Sequence, residues 1–212
     1  MSTFKNAMGK PVLFAMVKAI QANKDYLGEV DGLIGDGDHG MNMNKGFSLF
    51  EKRNRESDFS FTEGLDSLGT ILFSEIGGSM GPIYGTVFCD TASAGEGKEN
   101  IGVSELAGML KAGLEGLQEI VNARVGDKTL VDTLSPAVDS LFLSYEMGDS
   151  LPQALQKMKE AAVKGRDSTK DMVAKFGRSS RLGERSRGVL DAGATSCCII
   201  LTAMADAMTE QL

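Results

Sequence analysis

The chain has 212 residues, 42% apolar and 24% charged, a balance that excludes global disorder and suffices for a core without disulfide staples. Its 22 basic and 29 acidic residues leave a formal net charge of −7, which argues against nucleic acid as a partner, because a phosphate backbone requires a basic footprint. No uninterrupted apolar run approaches the roughly 18 residues of a membrane span, the N-terminal stretch MSTFKNAMGKPVLFAMVKAI shows no cleavage-site pattern, and Cys89, Cys197 and Cys198 make no disulfide framework. The expectation is therefore a cytoplasmic protein without a membrane or nucleic-acid partner, folded as one domain over residues 1–212.

Periodicity is helical almost throughout, and alternating strand patterns are nearly absent. Val12, Leu13, Met16, Val17 and Ile20 predict a first helix over about 4–27. A second is expected near 41–53, and a third from Thr62, burying Leu65, Leu68, Leu72 and Ile76. Pro82 suits the first turn of a fourth helix running to Ala94. Ser104 is the expected N-cap of a fifth, carrying Leu106, Leu110, Leu114 and Leu117. A sixth spans about 129–146. Ser150 and Gln153 have capping-box spacing and open a seventh, expected to reach Phe176. The last runs from about Gly193 to Thr209. The fold class expected is all-α with about eight helices, and the twelve Met residues read as core filler.

Four connections depart from ordinary turns: Asp31–Gly40, Gly77–Gly85, Gly126–Thr129 and Gly177–Gly193. Each combines glycine with polar or charged residues, which points to a site assembled from loops. The first carries Asp31, Asp36, Asp38, the single histidine His39, and Asn42. Gly35, Gly37 and Gly40 match the dinucleotide fingerprint by spacing, but no strand precedes them and no βαβ unit follows. An EF-hand fails too: counting from Asp36, the sixth position is Met41 and the twelfth Phe47, where Gly and Glu are required. No Walker A loop exists in the chain. Three carboxylates within eight positions are hard oxygen ligands, and the glycines permit tight turns that aim them at one point. Mg²⁺ bound there turns acidic repulsion into attraction for phosphate. His39 reads either as a turn residue or as a donor to phosphate.

Gly77–Pro82 precedes a helix and suits either an anion at the helix N-terminus or close helix packing through glycine. Gly126-Asp127-Lys128-Thr129 reads as a simple cap, with Asp127 or Thr129 as the capping residue. Segment 177–193 holds four Arg against Glu184 and Asp191. Arginine is the residue of bidentate phosphate contacts, and the glycines of this segment suit a closing lid.

The segments GDGDHGMNMNKGF, GGSMGPIYGTVF, GDKTLVDTLSPAV and GRSSRLGERSRGVLDAGATS, in this order, resemble the L subunits of dihydroxyacetone kinases, which bind ADP. The resemblance covers nearly the whole chain. It implies an eight-helix antiparallel barrel with the nucleotide at one end, and it implies that Asp31, Asp36 and Asp38 ligate two Mg²⁺ ions joined to the phosphates of ADP or ATP. By the same comparison His39 and Asn42 lie beside the phosphates, Ser79, Met80 and Leu130 adjoin the nucleotide, and Arg178 with Asp191, Ala192 and Gly193 completes the pocket. Asp31, Asp36, Asp38, His39 and Arg178 are the residues expected to carry the chemistry. The sequence departs from the family pattern at Met80 (usually Ser), Arg181 (usually aromatic), Val189-Leu190 (usually His-Gln) and Ala192 (usually Pro).

The family's activity implies a kinase subunit that passes a phosphoryl group to dihydroxyacetone or a related short ketose held by a separate K-type subunit. The donor is either exchangeable ATP or a retained ADP recharged by a phosphotransferase-system protein, the latter favoured for a free-standing L chain. Two rival readings are a metal-dependent phosphohydrolase and a non-catalytic helical regulator that keeps a nucleotide as a structural part.

Overall fold

The computed structural model describes residues 2–212. Its described residues form nine α-helices: α1 (Gly9–Ala22), α2 (Lys24–Gly32), α3 (His39–Asn54), α4 (Phe61–Glu75), α5 (Met80–Ala94), α6 (Val103–Ile120), α7 (Val131–Glu146), α8 (Leu151–Ser168) and α9 (Ala192–Glu210). Two short strands, β1 (Phe4–Lys5) and β2 (Asn100–Ile101), pair antiparallel and clip the N-terminal segment onto the start of α6. The architecture is the all-α bundle that the periodicity predicts. The first predicted helix is in two pieces. Asn23 turns its side-chain amide back to the Ala19 carbonyl (2.8 Å) and its backbone leaves the helical region at φ −106°, ψ 9°. This is the local competition with the helix ladder that Asn offers. α1 and α2 thus together replace one expected helix.

The helices pack as a closed ring. α1 contacts α3, each helix from α3 to α8 contacts the next in sequence, and α9 closes the ring against α1. The inner faces form one core. It includes Leu13, Phe47, Leu68, Leu106, Leu141, Leu155 and Met208, each 0% exposed. Met16, Met43, Met109, Met158 and Met204 are also buried there. α9 is long and apolar enough by composition to cross a bilayer, but here it is a core helix, with Ala194, Cys197, Leu201 and Ala205 buried.

Boundaries follow local chemistry more closely than apolar spacing. α4 starts at Phe61 behind Ser60, whose Oγ accepts from the Glu63 N–H (3.3 Å) while the Glu63 carboxylate accepts from the Ser60 N–H (2.7 Å). The Ser60 N–H, and after it the Ser60 hydroxyl donating to the same carboxylate (2.7 Å), hold the Glu63 carboxyl below its usual range. The Ser60→Ala protein is expected to lose about 1 kcal/mol, read as a shift in urea midpoint. Glu63's share of stability is present above its ordinary pKa and is lost as pH falls through the lowered value, so the deficit of the variant narrows at acid pH. α8 opens with the expected pairing of Ser150 and Gln153. It ends at Ser168 rather than Phe176, with a single 3-10 turn, Thr169–Asp171, beyond it. Ser104 is not the cap of α6. The chain enters that helix at Gly102, whose N–H donates to Glu105 (3.0 Å), and Ser104 sits inside the first turn.

An up-and-down ring has a consequence for function. Alternate helices run the same way, so α3, α5, α7 and α9 all begin at one end, and the connections entering them gather there. These are the four connections singled out by composition.

Candidate functional site

One cavity of about 370 Å³ lies at that end, within the range of small-ligand sites. Its walls come from the α2–α3, α4–α5, α6–α7 and α8–α9 connections and the first turns of the helices that follow. Helix N-termini carry about half a positive charge each, so the four starts at His39, Met80, Val131 and Ala192 aim positive potential into one space. The N-cap residues of α3 and α5, Asp38 and Ser79, make no side-chain cap bond, so first-turn N–H groups other than that of His39, which Asp31 accepts, are suited to an anion.

The acidic loop leads into the first of these starts. Asp31 lies in the last turn of α2, and Asp36 and Asp38 lie in the loop before α3. Their carboxylate oxygens come within 4.8 Å of one another. Burial, and then the charges of Asp36 and Asp31, push the Asp38 carboxyl above its usual range. Asp31 accepts from the His39 N–H at 3.2 Å, and Asp36 pairs with Arg178 at 2.9 Å. Three like charges facing one point, with a single guanidinium on one of them, form a donor set of hard oxygens that fits Mg²⁺.

The three glycines of this loop act in three different ways. Gly37, at φ +77°, makes the kind of tight turn that the sequence allows at each of them. Gly35 instead clears space, since a Cβ there would overlap the Asp31 carboxylate. Gly40 is buried inside α3, where a Cβ would overlap the Lys24 carbonyl of α2. In the α4–α5 connection the glycines divide between open turn and close packing. Gly77 and Gly78 form an open turn beside the cavity, with Gly78 at φ +73°, whereas Gly81 and Gly85 pack against α4.

His39 is anchored from behind. Its Nε2 meets Ser196 Oγ at 2.8 Å, and Ser196 meets the Tyr84 hydroxyl at 2.6 Å. Tyr84 also donates to the Gly193 carbonyl (3.2 Å). Burial pushes the His39 pKa down to about 4 against the pull of Asp31, so the ring is neutral at pH 7 and offers one donor and one acceptor. On the far wall Asp191 caps α9 by accepting from Ala194 N–H (2.7 Å). Its burial raises the carboxyl pKa to about 6, opposed by that N–H and by Lys128.

All twelve residues expected at the site line this cavity: Asp31, Asp36, Asp38, His39 and Asn42 on one side, Ser79 and Met80 at α5, Leu130 at α7, and Arg178, Asp191, Ala192 and Gly193 on the α8–α9 side. Of the positions that depart from the family pattern, Met80 and Ala192 line it, and Arg181, Val189 and Leu190 do not. Arg178 opens a 3-10 segment, Arg178–Ser186, broken at Gly183 (φ 53°, ψ −129°). Apolar spacing did not single out Tyr84, Ser196, Lys128 or Thr129. The signal for Ser196 is its place three residues after Gly193, one turn along the same face of α9. Neither expected cap heads α7. Leu130 holds the cap position, Thr129 Oγ1 accepts from Val131 N–H (3.2 Å), and Asp132 reaches back to the N–H groups of Gly126 (2.6 Å) and Thr129 (2.7 Å).

The DAK2 domain family matches residues 33–206. The chain is 40% identical over 187 residues to the "PEP-dependent dihydroxyacetone kinase, ADP-binding subunit DhaL" of Escherichia coli K12, covering 88% of this chain and 89% of that one. The chain belongs to the family of dihydroxyacetone kinase L subunits. A further relative in this kinase-subunit family is the "PTS-dependent dihydroxyacetone kinase, ADP-binding subunit DhaL" of Lactococcus lactis, 39% identical over 178 residues and covering 84% of each chain. The fold is also similar to the dihydroxyacetone kinase of C. freundii solved with AMP-PNP and Mg²⁺, with a TM-score of 0.73 at 21% identity. That comparison covers 97% of this chain and 35% of the solved one, so the L-subunit chain spans about a third of that kinase.

Proposed function

We propose that the whole chain, 1–212, acts in the cytoplasm as the nucleotide-binding subunit of a dihydroxyacetone-type kinase. It holds ADP or ATP through two Mg²⁺ ions and presents the terminal phosphoryl group to dihydroxyacetone or a related short ketose on a separate K-type subunit. The observation that carries this reading is the set of three carboxylates within 4.8 Å at the start of α3, sharing one cavity with three further helix starts. Neither half explains the other alone, since carboxylates repel phosphate and helix N-termini attract it. A polyphosphate carrying divalent cations satisfies both.

Asp31, Asp36 and Asp38 would hold the ions, which when bound neutralise phosphate charge as phosphoryl transfer requires. Arg178, facing Asp36 across the opening, offers a planar fork to the charge that develops during transfer. His39, held by Ser196 and Tyr84, gives a fixed neutral contact beside the phosphates, with Asn42 one turn further along α3. The turn at Gly77, Gly78, Ser79 and Met80 supplies backbone donors. The apolar wall of Ile83, Leu117, Val121 and Leu130 receives the base. The relatives named PEP-dependent and PTS-dependent support a retained ADP recharged by a phosphotransferase-system protein.

Calorimetric titration with ADP tests the reading. Binding is expected to weaken at least tenfold, about 1.4 kcal/mol, when Mg²⁺ is chelated, and phosphoryl transfer is expected only once a K-type subunit is added. Equal affinity with and without Mg²⁺ would overturn it. Phosphate release from ATP without a partner would move the assignment to a hydrolase, and tight binding without transfer to any K-type partner would move it to a regulator.

A further inference from the structure

Lys128 belongs to a segment whose sequence reads as a simple cap; it lines the cavity, and the function proposed above gives its ammonium no part. It is 1% exposed. Among the described residues it is the one non-glycine at positive φ (61°), a strained conformation for a residue that carries a side chain. A buried cation on a strained backbone persists where its surroundings fix it. Here they do. Asp127 on one side accepts from Arg124 N–H (2.8 Å) and from Lys175 Nζ (2.6 Å). Asp132 on the other ties Gly126 and Thr129. The loop is held so that Lys128 projects one way.

Its ammonium donates to the Thr169 carbonyl at 2.6 Å and to the Val189 carbonyl at 2.5 Å. These two residues stand at either end of the segment that carries Arg178. The same neck is closed by Gly188 N–H on the Lys170 carbonyl (2.7 Å) and by Asp191 N–H on Thr169 Oγ1 (3.0 Å). Between these ends run four arginines, all exposed, and the reach of Arg178 to Asp36 depends on where the neck is anchored. With two of its three donors on carbonyls, the ammonium acts as a tie rather than as a phosphate ligand, and the nearby Asp191 carboxylate balances its charge.

We propose that Lys128 is a positioning residue that cinches the neck of the arginine-bearing loop to the α6–α7 connection and thereby fixes Arg178 across from the acidic loop. This rests on the reading of that loop as the closing side of a phosphate site. Methionine, uncharged and one atom shorter, leaves the buried Thr169 carbonyl and the part-buried Val189 carbonyl without their donor and frees the neck. Arginine at the same position retains a cation with donors to spare.

The test uses the full chain with Lys128→Met, Lys128→Arg and Arg178→Ala. Limited trypsin digestion is expected to cut Lys128→Met between Arg178 and Arg187 roughly tenfold faster or more than the parent, the factor that loss of a charge-assisted hydrogen bond carries. Cleavage elsewhere stays at the parent rate, and Lys128→Arg restores most of the protection. Mg-ADP affinity is expected to fall in Lys128→Met, and adding Arg178→Ala to it is expected to weaken binding no further. Unchanged cleavage, or independent additive losses in the double variant, overturns the proposal. If Lys128→Met does not fold, hydrogen exchange on the unaltered protein decides: the Gly188 and Asp191 amides open together if one tie closes the neck, and separate opening overturns it. Should no form bind Mg-ADP, the kinase reading fails, while the digestion and exchange results still decide whether Lys128 closes the loop.

Discussion

The Asp38→Asn protein is expected to bind Mg-ADP about a hundredfold more weakly or worse and, with magnesium chelated, to melt at a higher temperature than the parent. Both results come from the same geometry. Three carboxylates whose oxygens lie within 4.8 Å of one another repel each other in the metal-free protein, and burial, followed by the charges of Asp36 and Asp31, pushes the Asp38 carboxyl up. Asparagine has the same shape and no charge, so it relieves the repulsion while removing a hard anionic ligand. Asp38 is the cleanest of the three to change. Asp31 also accepts from the His39 N–H, so its loss disturbs the start of α3, and Asp36 holds Arg178, so its loss frees the opposite wall. Calorimetry and thermal melts, each with and without Mg²⁺, read both effects. A parent-like ADP affinity in Asp38→Asn would falsify the metal clamp. A lower melting temperature in chelator would show that the carboxylate instead supports the fold, as an acidic residue at a helix start does.

Much of this was legible because it is local. Ser150, three residues before Gln153, specifies a helix start without reference to the rest of the chain, and α8 begins where that chemistry puts it; Ser60 and Glu63 have the same spacing, although apolar spacing starts that helix at Thr62. The acidic loop was legible as a ligand set because its members are close in sequence. What was hidden is tertiary. Ser196 meets His39 from 157 residues away, and no spacing rule links them. Gly102 displaced Ser104 as the entry to α6 because Glu105 reaches back to a backbone N–H that any residue supplies. Lys128 belongs to a segment that reads as a simple cap, since nothing in Gly-Asp-Lys-Thr shows that two distant carbonyls close over its ammonium. The gathering of α3, α5, α7 and α9 at one end lies between these cases. It follows from an up-and-down ring, so helix count and short connections imply it, but the convergence becomes an electrostatic fact only once the ring is closed.

Gly40→Ala is expected to destabilise the protein by roughly 1–3 kcal/mol, the cost of forcing a methyl into a packed contact, and to weaken Mg-ADP binding as well. Helix propensity alone predicts the opposite, because Gly to Ala inside a helix gains about 1 kcal/mol. Gly108 supplies the comparison. It is exposed in α6 with nothing within 4 Å of an added Cβ, so Gly108→Ala is expected to raise stability by about that amount. At Gly40 the added carbon overlaps the Lys24 carbonyl and lies 2.7 Å from the Gly28 nitrogen, and backbone cannot rotate aside as a side chain does. α3 must therefore move off α2. Asp31 is on α2, and His39 is the first residue of α3, so the same displacement pulls Asp31 away from the His39 N–H and spreads the carboxylates. Urea midpoints and ADP titrations on the two variants separate the terms. Opposite signs of the stability change, with affinity lost in Gly40→Ala alone, tie the close approach of these helices to the alignment of the acidic loop. A Gly40→Ala protein as stable as Gly108→Ala would show that α2 and α3 yield freely at that contact.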